Sequence, residues 1–145
     1  MRYLADTNIL LRLIDPASPM HATALSALTK LRNSGETVWV TPQNLVEFWN
    51  GATRPAAANG LGLTPAHAAL EMAQIEAIFP LAEDNAAIHP EWRMLVANAG
   101  VSGVQVHDAR LAAAMRVHGL THLLTFNIRD FGRYPGITLV HPNSV

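Results

Sequence analysis

The sequence predicts an α/β fold with a mainly parallel central sheet, and three observations carry that reading. Short apolar runs alternate with longer segments of helical period. Thr-Pro pairs and glycines punctuate the longer segments where helices should start and stop. Half of the 145 residues are hydrophobic and only 14% are charged, a composition that can fill the core of one domain spanning residues 1–145.

The first strand is Tyr3-Leu4-Ala5, ended by Asp6. A helix follows through Leu10 to Ile14, with the oxygen-bearing side chains of Asp6 to Asn8 around its start. Ser18-Pro19 reads as a cap and first helical position. Ala24, Leu25, Leu28 and Leu31 then form one apolar face, and Gly35 is the stop. Thr37 to Val40, β-branched and aromatic, is the second strand. Thr41-Pro42 opens a helix carrying Leu45, Phe48 and Trp49, and Gly51 to Leu63 is the least regular stretch. Thr64-Pro65 starts a further helix whose Ala66, Leu70, Ala73 and Ala77 share a face, and Phe79 to Leu81 forms a short third strand. Trp92 to Ala97 is helical and ends near Gly100. The stretch from Gly100 to Val106 leads into His107-Asp108 and a helical stripe of Leu111, Ala112 and Met115 that Gly119 terminates. His122 to Thr125 is the fourth strand and Ile137 to Val140 a last, edge strand. No internal repeat or linker divides the chain.

Composition narrows the function. The net charge of −1 is not that of a polycation binding nucleic acid through bulk charge. The absence of cysteine removes disulfides, thiol catalysis and thiolate zinc sites. Asp6, Arg12 and Asp15 interrupt any signal-peptide hydrophobic region, and no apolar run approaches the ~18 residues of a membrane span. A cytoplasmic location, with no membrane partner, is the expectation. The histidines have no zinc spacing: Gly119 breaks the helix between His118 and His122. The glycine clusters lack the lysine of a phosphate-binding loop, and a nucleophile elbow is absent.

In a parallel sheet, ligands bind beyond the carboxyl ends of the strands. Asp6 ends the first strand, Glu47 lies one to two turns into the helix after the second, and Asp108 opens the helix before the fourth. Asn127 and Asp130 follow the fourth strand directly. Clustered carboxylates repel one another, and a hard divalent cation resolves that conflict: Mg²⁺ takes oxygen ligands, usually one or two carboxylates plus water and phosphate, and Mn²⁺ accepts the same set. Such an ion can activate water and neutralise charge on a phosphodiester. Taken singly, Asp6 is equally a helix cap, Asp108 a residue favoured by the helix dipole, and Asp130 a turn residue. Glu47 differs, because Leu45-Val46 and Phe48-Trp49 flank it and a glutamate bordering buried surface needs a partner or an open cleft.

Four motifs stand in order: Asp6-Thr7-Asn8, Asn44-Leu45-Val46-Glu47-Phe48, His107-Asp108-Ala109 before Leu111-Ala112-Ala113, and the segment from Leu124 through Thr125, Phe126, Asn127, Ile128 and Arg129 to Asp130-Phe131. Together they resemble the PIN-domain ribonucleases, and most of all the VapC-type toxins of bacterial toxin–antitoxin modules. The resemblance spans essentially the whole chain. It implies a three-layer α/β/α domain and a Mg²⁺- or Mn²⁺-dependent endoribonuclease leaving a 5′-phosphate and a 3′-hydroxyl. It also implies Asp6 and Asp108 as metal ligands, Glu47 completing the acidic centre, a cognate antitoxin and a homodimer. The family often has an acid two residues after the threonine that ends the fourth strand. Asn127 stands there, so either Asp130, before Phe131, supplies the charge instead or Asn127 orients a metal-bound water. Thr7 and Asn8 are candidates to hydrogen-bond a ligand carboxylate or the substrate.

RNA phosphate contacts must come from local charge, and Arg12, Arg54, Arg110 and Arg129 are the candidates, Arg54 slightly ahead because its irregular loop has no evident core role. Trp39, Trp49 and Trp92 are candidates for base stacking, although Trp39 in a strand and Trp49 at helical spacing read rather as core. Two rivals remain. A phosphoaspartyl-type phosphatase also ends its first strand in aspartate, but it usually wants a second aspartate where this chain has Asn8. A non-catalytic PIN-like binding or regulatory domain is kept alive by Asn127.

Overall fold

Strand β1 (Arg2–Ala5) is the middle of the molecule, and the other elements are arranged around it. In the computed structural model, which describes residues 1–145, the order along the chain is β1, α1 (Thr7–Leu13), α2 (His21–Asn33), β2 (Thr37–Trp39) and α3 (Pro42–Thr53). Then come α4 (Pro65–Ile78), α5 (Ile88–Ala99), α6 (Val106–His118), β3 (His122–Leu124) and β4 (Thr138–Val140). The sheet order is β2-β1-β3-β4 and every pairing is parallel, with Leu4 opposite both Trp39 and Leu123, and Leu123 opposite Leu139. The chain leaves β1 for β2 on one side and returns to β3 on the other, so the sheet has a topological switch point at the carboxyl ends of β1 and β3.

Alternation along the strands sorts their side chains into two layers of core. Tyr3, Ala5, Val38 and Leu124 face one side, where Ile9 and Leu10 of α1, Leu28 and Leu31 of α2, Phe48 of α3 and Ile75 of α4 pack. Leu4 and Leu123 face the other, against Ile88 and Leu95 of α5 and Leu111, Ala112 and Met115 of α6. Helices α1–α4 thus cover one face and α5 and α6 the other, the three-layer α/β/α arrangement. Phe48 is fully buried, so truncating it to alanine should cost about 3–5 kcal/mol.

Several local expectations hold. Thr41 caps α3, its hydroxyl accepting from the Asn44 N–H while the Asn44 side chain accepts from the Thr41 N–H. Thr64 caps α4 by accepting from the His67 N–H. Gly100 and Gly119 end α5 and α6 in the left-handed region, at φ 62° and 65°.

Others need correction. The helix predicted at Ser18-Pro19 begins later, at His21: the Ser18 hydroxyl accepts from the Met20 N–H and its carbonyl from the His21 N–H, closing a turn before α2. The stretch from Gly51 is helical through Thr53, and α5 runs well beyond Trp92–Ala97 in both directions. The third strand reduces to one bridge, Val40 with Leu81, because Phe79 still belongs to the end of α4 and Pro80 has no N–H to donate. On α4 the buried residues are Ala68 and Ile75; Ala66, Leu70, Ala73 and Ala77 face outward.

Candidate active site

The carboxyl edge of the sheet collects the acidic side chains. Asp6 caps α1 directly after β1, and its own N–H donates to the Leu124 carbonyl of the neighbouring strand at 2.9 Å. Although 8% exposed, its carboxylate has a full set of donors. Oδ1 accepts from the Thr7 N–H at 2.7 Å, and Oδ2 accepts from the Thr125 hydroxyl at 2.7 Å and the Asn8 amide at 3.2 Å. Asn8 and Thr125 are joined as well, and Thr125 accepts from the Asn127 N–H at 2.9 Å. Local sequence cannot show this clasp, since 119 positions separate Asp6 from Thr125.

Glu47 finds the partners its flanking residues demand. Its Oε2 accepts from the Thr7 hydroxyl and its Oε1 from the Gln43 amide, both at 2.9 Å. Thr7 in turn accepts from the amide of Asn44, which is fully buried. The capping box of α3 is therefore one end of a polar chain running Thr41–Asn44–Thr7–Glu47. Gln43 extends it across the cleft: its amide also donates to the His107 carbonyl at 2.7 Å, beside Asp108, and its oxygen accepts from Arg110 at 3.3 Å.

The carboxylates of Asp108, in the first turn of α6, and of Asp130, in a 3₁₀ turn after β3, make no hydrogen bond or ion pair with the protein. Burial pushes the Asp108 carboxyl up to about 6, with the charges of Asp6, Asp130 and Glu47 adding to it and His107 opposing. Burial likewise raises Asp6, against the lowering effect of its bonds to Thr125 and Thr7, and Glu47 and Asp130 push in the same direction. Asp6, Glu47 and Asp130 thus crowd Asp108 with like charge, and no cation is bonded among them, since Arg110 pairs with Asp84 instead, at 3.2 Å.

The arginines divide. Arg110 reaches the site through Gln43, and exposed Arg129 lies one residue from Asp130. Arg12 sits in the last turn of α1, about 7.5 Å along the helix axis from its start. Arg54 donates to the Asn59 carbonyl at 3.2 Å, and its own carbonyl accepts from the Gly62 N–H, so it ties together the loop after α3. Gln43, Asn44 and Thr125 are the site residues that sequence reasoning missed as participants. The Thr41-x-x-Asn44 spacing of a cap was the one available signal.

No three Asp, Glu or His side chains stand close enough together to grip an ion unaided. The donor set nonetheless fits Mg²⁺ or Mn²⁺ in kind. It is all oxygen, carries uncompensated charge and presents the unbonded carboxylate of Asp108, and Mg²⁺ takes one or two carboxylates with water and substrate completing its shell.

The site is thus a set of carboxylates gathered at the switch point of a parallel sheet. The PIN domain model matches residues 3–137, and the chain belongs to the PIN domain family. No match was found among curated proteins. Solved structures share the fold. VapBC2 from Rickettsia felis, bound to a DNA fragment from its promoter, aligns with a TM-score of 0.71 at 18% identity over 97% of this chain and 98% of that one. A toxin–antitoxin complex from Klebsiella pneumoniae gives 0.67 at 21% identity over 99% of both chains. The sarcin–ricin loop-cleaving toxin VapC20 of Mycobacterium tuberculosis gives 0.59 at 22% identity over 83% of this chain and 86% of that one.

Proposed function

We propose that this chain is a divalent-cation-dependent endoribonuclease and the toxin of a toxin–antitoxin pair. The observation that carries the reading is the convergence of the charges of Asp6, Glu47, Asp108 and Asp130 at the carboxyl edge of the sheet without a bonded cation. Membership of the PIN family and the likeness to toxin structures, one of them an RNA-cleaving toxin, support the same reading.

Asp6 and Asp108 would hold Mg²⁺ or Mn²⁺, with Glu47 completing the acidic centre. When bound, the ion supplies polarisation of water and of the phosphodiester and neutralises charge on the phosphate oxygens. The chain's own part is positioning. Thr7, Asn8 and Thr125 fix both oxygens of Asp6, so its rotamer is set before substrate arrives. Thr7 and Gln43 do the same for Glu47. Asp108 is left free to take a ligand. Water attacks phosphorus in line, the acidic centre takes the water proton, and as the bond to the 3′-oxygen breaks that oxygen receives a proton in exchange, leaving a 5′-phosphate and a 3′-hydroxyl. Exposed Arg129, beside Asp130, would contact backbone phosphate.

The toxin reading requires an antitoxin. An uncovered apolar groove of about 220 Å³, lined by Leu13, Ile14, Leu25, Ile75, Ile78 and Phe79, is surface of the kind a partner covers. A homodimer and a cytoplasmic location belong to the same reading. No helix is long and apolar enough to cross a membrane.

The test is cleavage of total cellular RNA by antitoxin-free protein with Mg²⁺, with Mn²⁺ and with chelator. Cation-dependent cleavage that disappears in Asp6→Asn and Asp108→Asn is expected; cleavage surviving in both variants, or none by the wild type, contradicts the proposal. The second reading, a PIN-like domain that binds without catalysis, is favoured by Asn127 standing where the resembled pattern has an acid. It predicts RNA or protein binding with no cleavage.

A further inference from the structure

Beside the acidic centre lies a recess that the nuclease reading does not use. It holds about 330 Å³ and is lined by Asn85, Ile88, His89, Trp92 and Arg110. His89 and Trp92 come from successive turns of α5, their ring centroids 5.7 Å apart and their planes 33° from parallel. The exposed imidazole and half-buried indole make a slanted aromatic wall. The indole is anchored, its N–H donating to the Val106 carbonyl at 2.9 Å, at the start of the helix that carries Asp108. The Arg110 guanidinium, fixed by Asp84 and Gln43, lines the same recess. Asn85 has its carbonyl oxygen committed to the Ala87 N–H, which leaves its amide free to donate.

We infer that this recess is a nucleobase subsite, taking one unstacked base of the RNA strand between the His89–Trp92 wall and the Arg110 plane. The inference rests on the ribonuclease reading and deepens it. Unstacked bases of single strands are held by stacking on aromatic faces and guanidinium planes and by hydrogen bonds to their edges. The position suits it: Arg110 bonds Gln43, and Gln43 bonds Glu47, so two hydrogen bonds link the recess to the acidic centre. A base seated here sets the neighbouring phosphodiester against the carboxylates. The preferred target is therefore a loop or single strand rather than a continuous duplex.

The experiment measures binding apart from cleavage. Fluorescein-labelled single-stranded RNA octamers, and an abasic octamer of equal charge, are titrated by anisotropy in chelator into full-length protein. The variants are His89→Ala, Trp92→Leu and their double. His89 is exposed, so its variant tests the subsite even if the Trp92 variant folds poorly. Removal of one stacking face should weaken binding of base-bearing RNA about tenfold and leave the abasic octamer unchanged. With Mg²⁺ present, His89→Ala should raise KM and spare kcat. Unchanged affinity in His89→Ala, or equal loss for the abasic octamer, overturns the subsite while cation-dependent cleavage by the wild type leaves the nuclease reading standing. A wild type that neither binds nor cleaves RNA overturns both.

Discussion

Replacing Asp108 with asparagine should stabilise the cation-free protein near neutral pH, although it removes a residue assigned to the active site. Burial and three neighbouring carboxylates hold the Asp108 carboxyl at about 6, against the ordinary 3.8. A folded-state value raised in this way means that the protonated acid favours folding. That contribution is complete below 3.8 and is lost as pH rises through about 6, so ionised Asp108 is a cost at neutral pH. Taken in full, the difference is about 3 kcal/mol; partial exposure and solvent screening reduce it to about 1–1.5 kcal/mol. Asparagine never ionises and escapes the cost. For a domain of this size the gain is about 3–5 °C in Tm. The assay is thermal unfolding by circular dichroism in excess chelator. The variant should melt above the wild type at about pH 7.5 and together with it at about pH 4. Mn²⁺ should reverse the order, since saturation at about a hundred times Kd adds about 2.7 kcal/mol to a protein that binds it. A variant no more stable than the wild type without cation, or stabilised equally by Mn²⁺, would refute the claim that Asp108 sits unpaired among like charges.

Three further substitutions test the framework around the acids. Thr125→Val removes the hydroxyl that donates to Asp6 Oδ2 and should cost about 1–3 kcal/mol in denaturant unfolding while raising the Asp6 carboxyl further. Cleavage should fall with it at slightly acidic pH more than at alkaline pH. Asn44→Ala breaks the capping box of α3 and frees Thr7 from its anchor. A loss of about 2 kcal/mol is expected, with kcat reduced through Glu47 and RNA affinity little changed. Gly60→Ala would bring a Cβ to 1.8 Å from the Arg54 carbonyl oxygen, a backbone atom that cannot step aside. This variant should unfold at lower denaturant, or expose the 54–62 loop to protease, with the acidic centre intact.

The sequence announced those features whose cause is local. Thr41-Pro42 and Thr64-Pro65 cap helices because side-chain oxygen, proline and first turn act within four residues. Ser18-Pro19 carries the same signature but closes only a turn, since helix propagation depends on tertiary contacts such as that of the His21 ring with the Arg12 carbonyl. The buried face of α4 was misread because an alanine-rich helix is apolar nearly all round. Ala66, Leu70, Ala73 and Ala77 have the right period, and so do Ala68 and Ile75; only packing against α3 and the sheet decides between them. In the site, the acids were legible as charges placed after strands. Thr7 and Asn8, which orient them from beside Asp6, were legible too; Thr125 and Asn44 were not, because they act on Asp6 and Thr7 across 119 and 37 positions. Arg54 illustrates the converse: an arginine in an irregular loop looks free in sequence, yet it ties that loop together.

The most direct test of the central claim is Mn²⁺ binding by isothermal calorimetry, with antitoxin-free wild type beside Asp6→Asn and Asp108→Asn. Binding precedes cleavage as a test because a narrow RNA preference can hide an active enzyme. The account predicts saturable binding by the wild type that weakens sharply in both folded variants. Absence of wild-type binding at millimolar Mn²⁺, or binding indifferent to both substitutions, would contradict it.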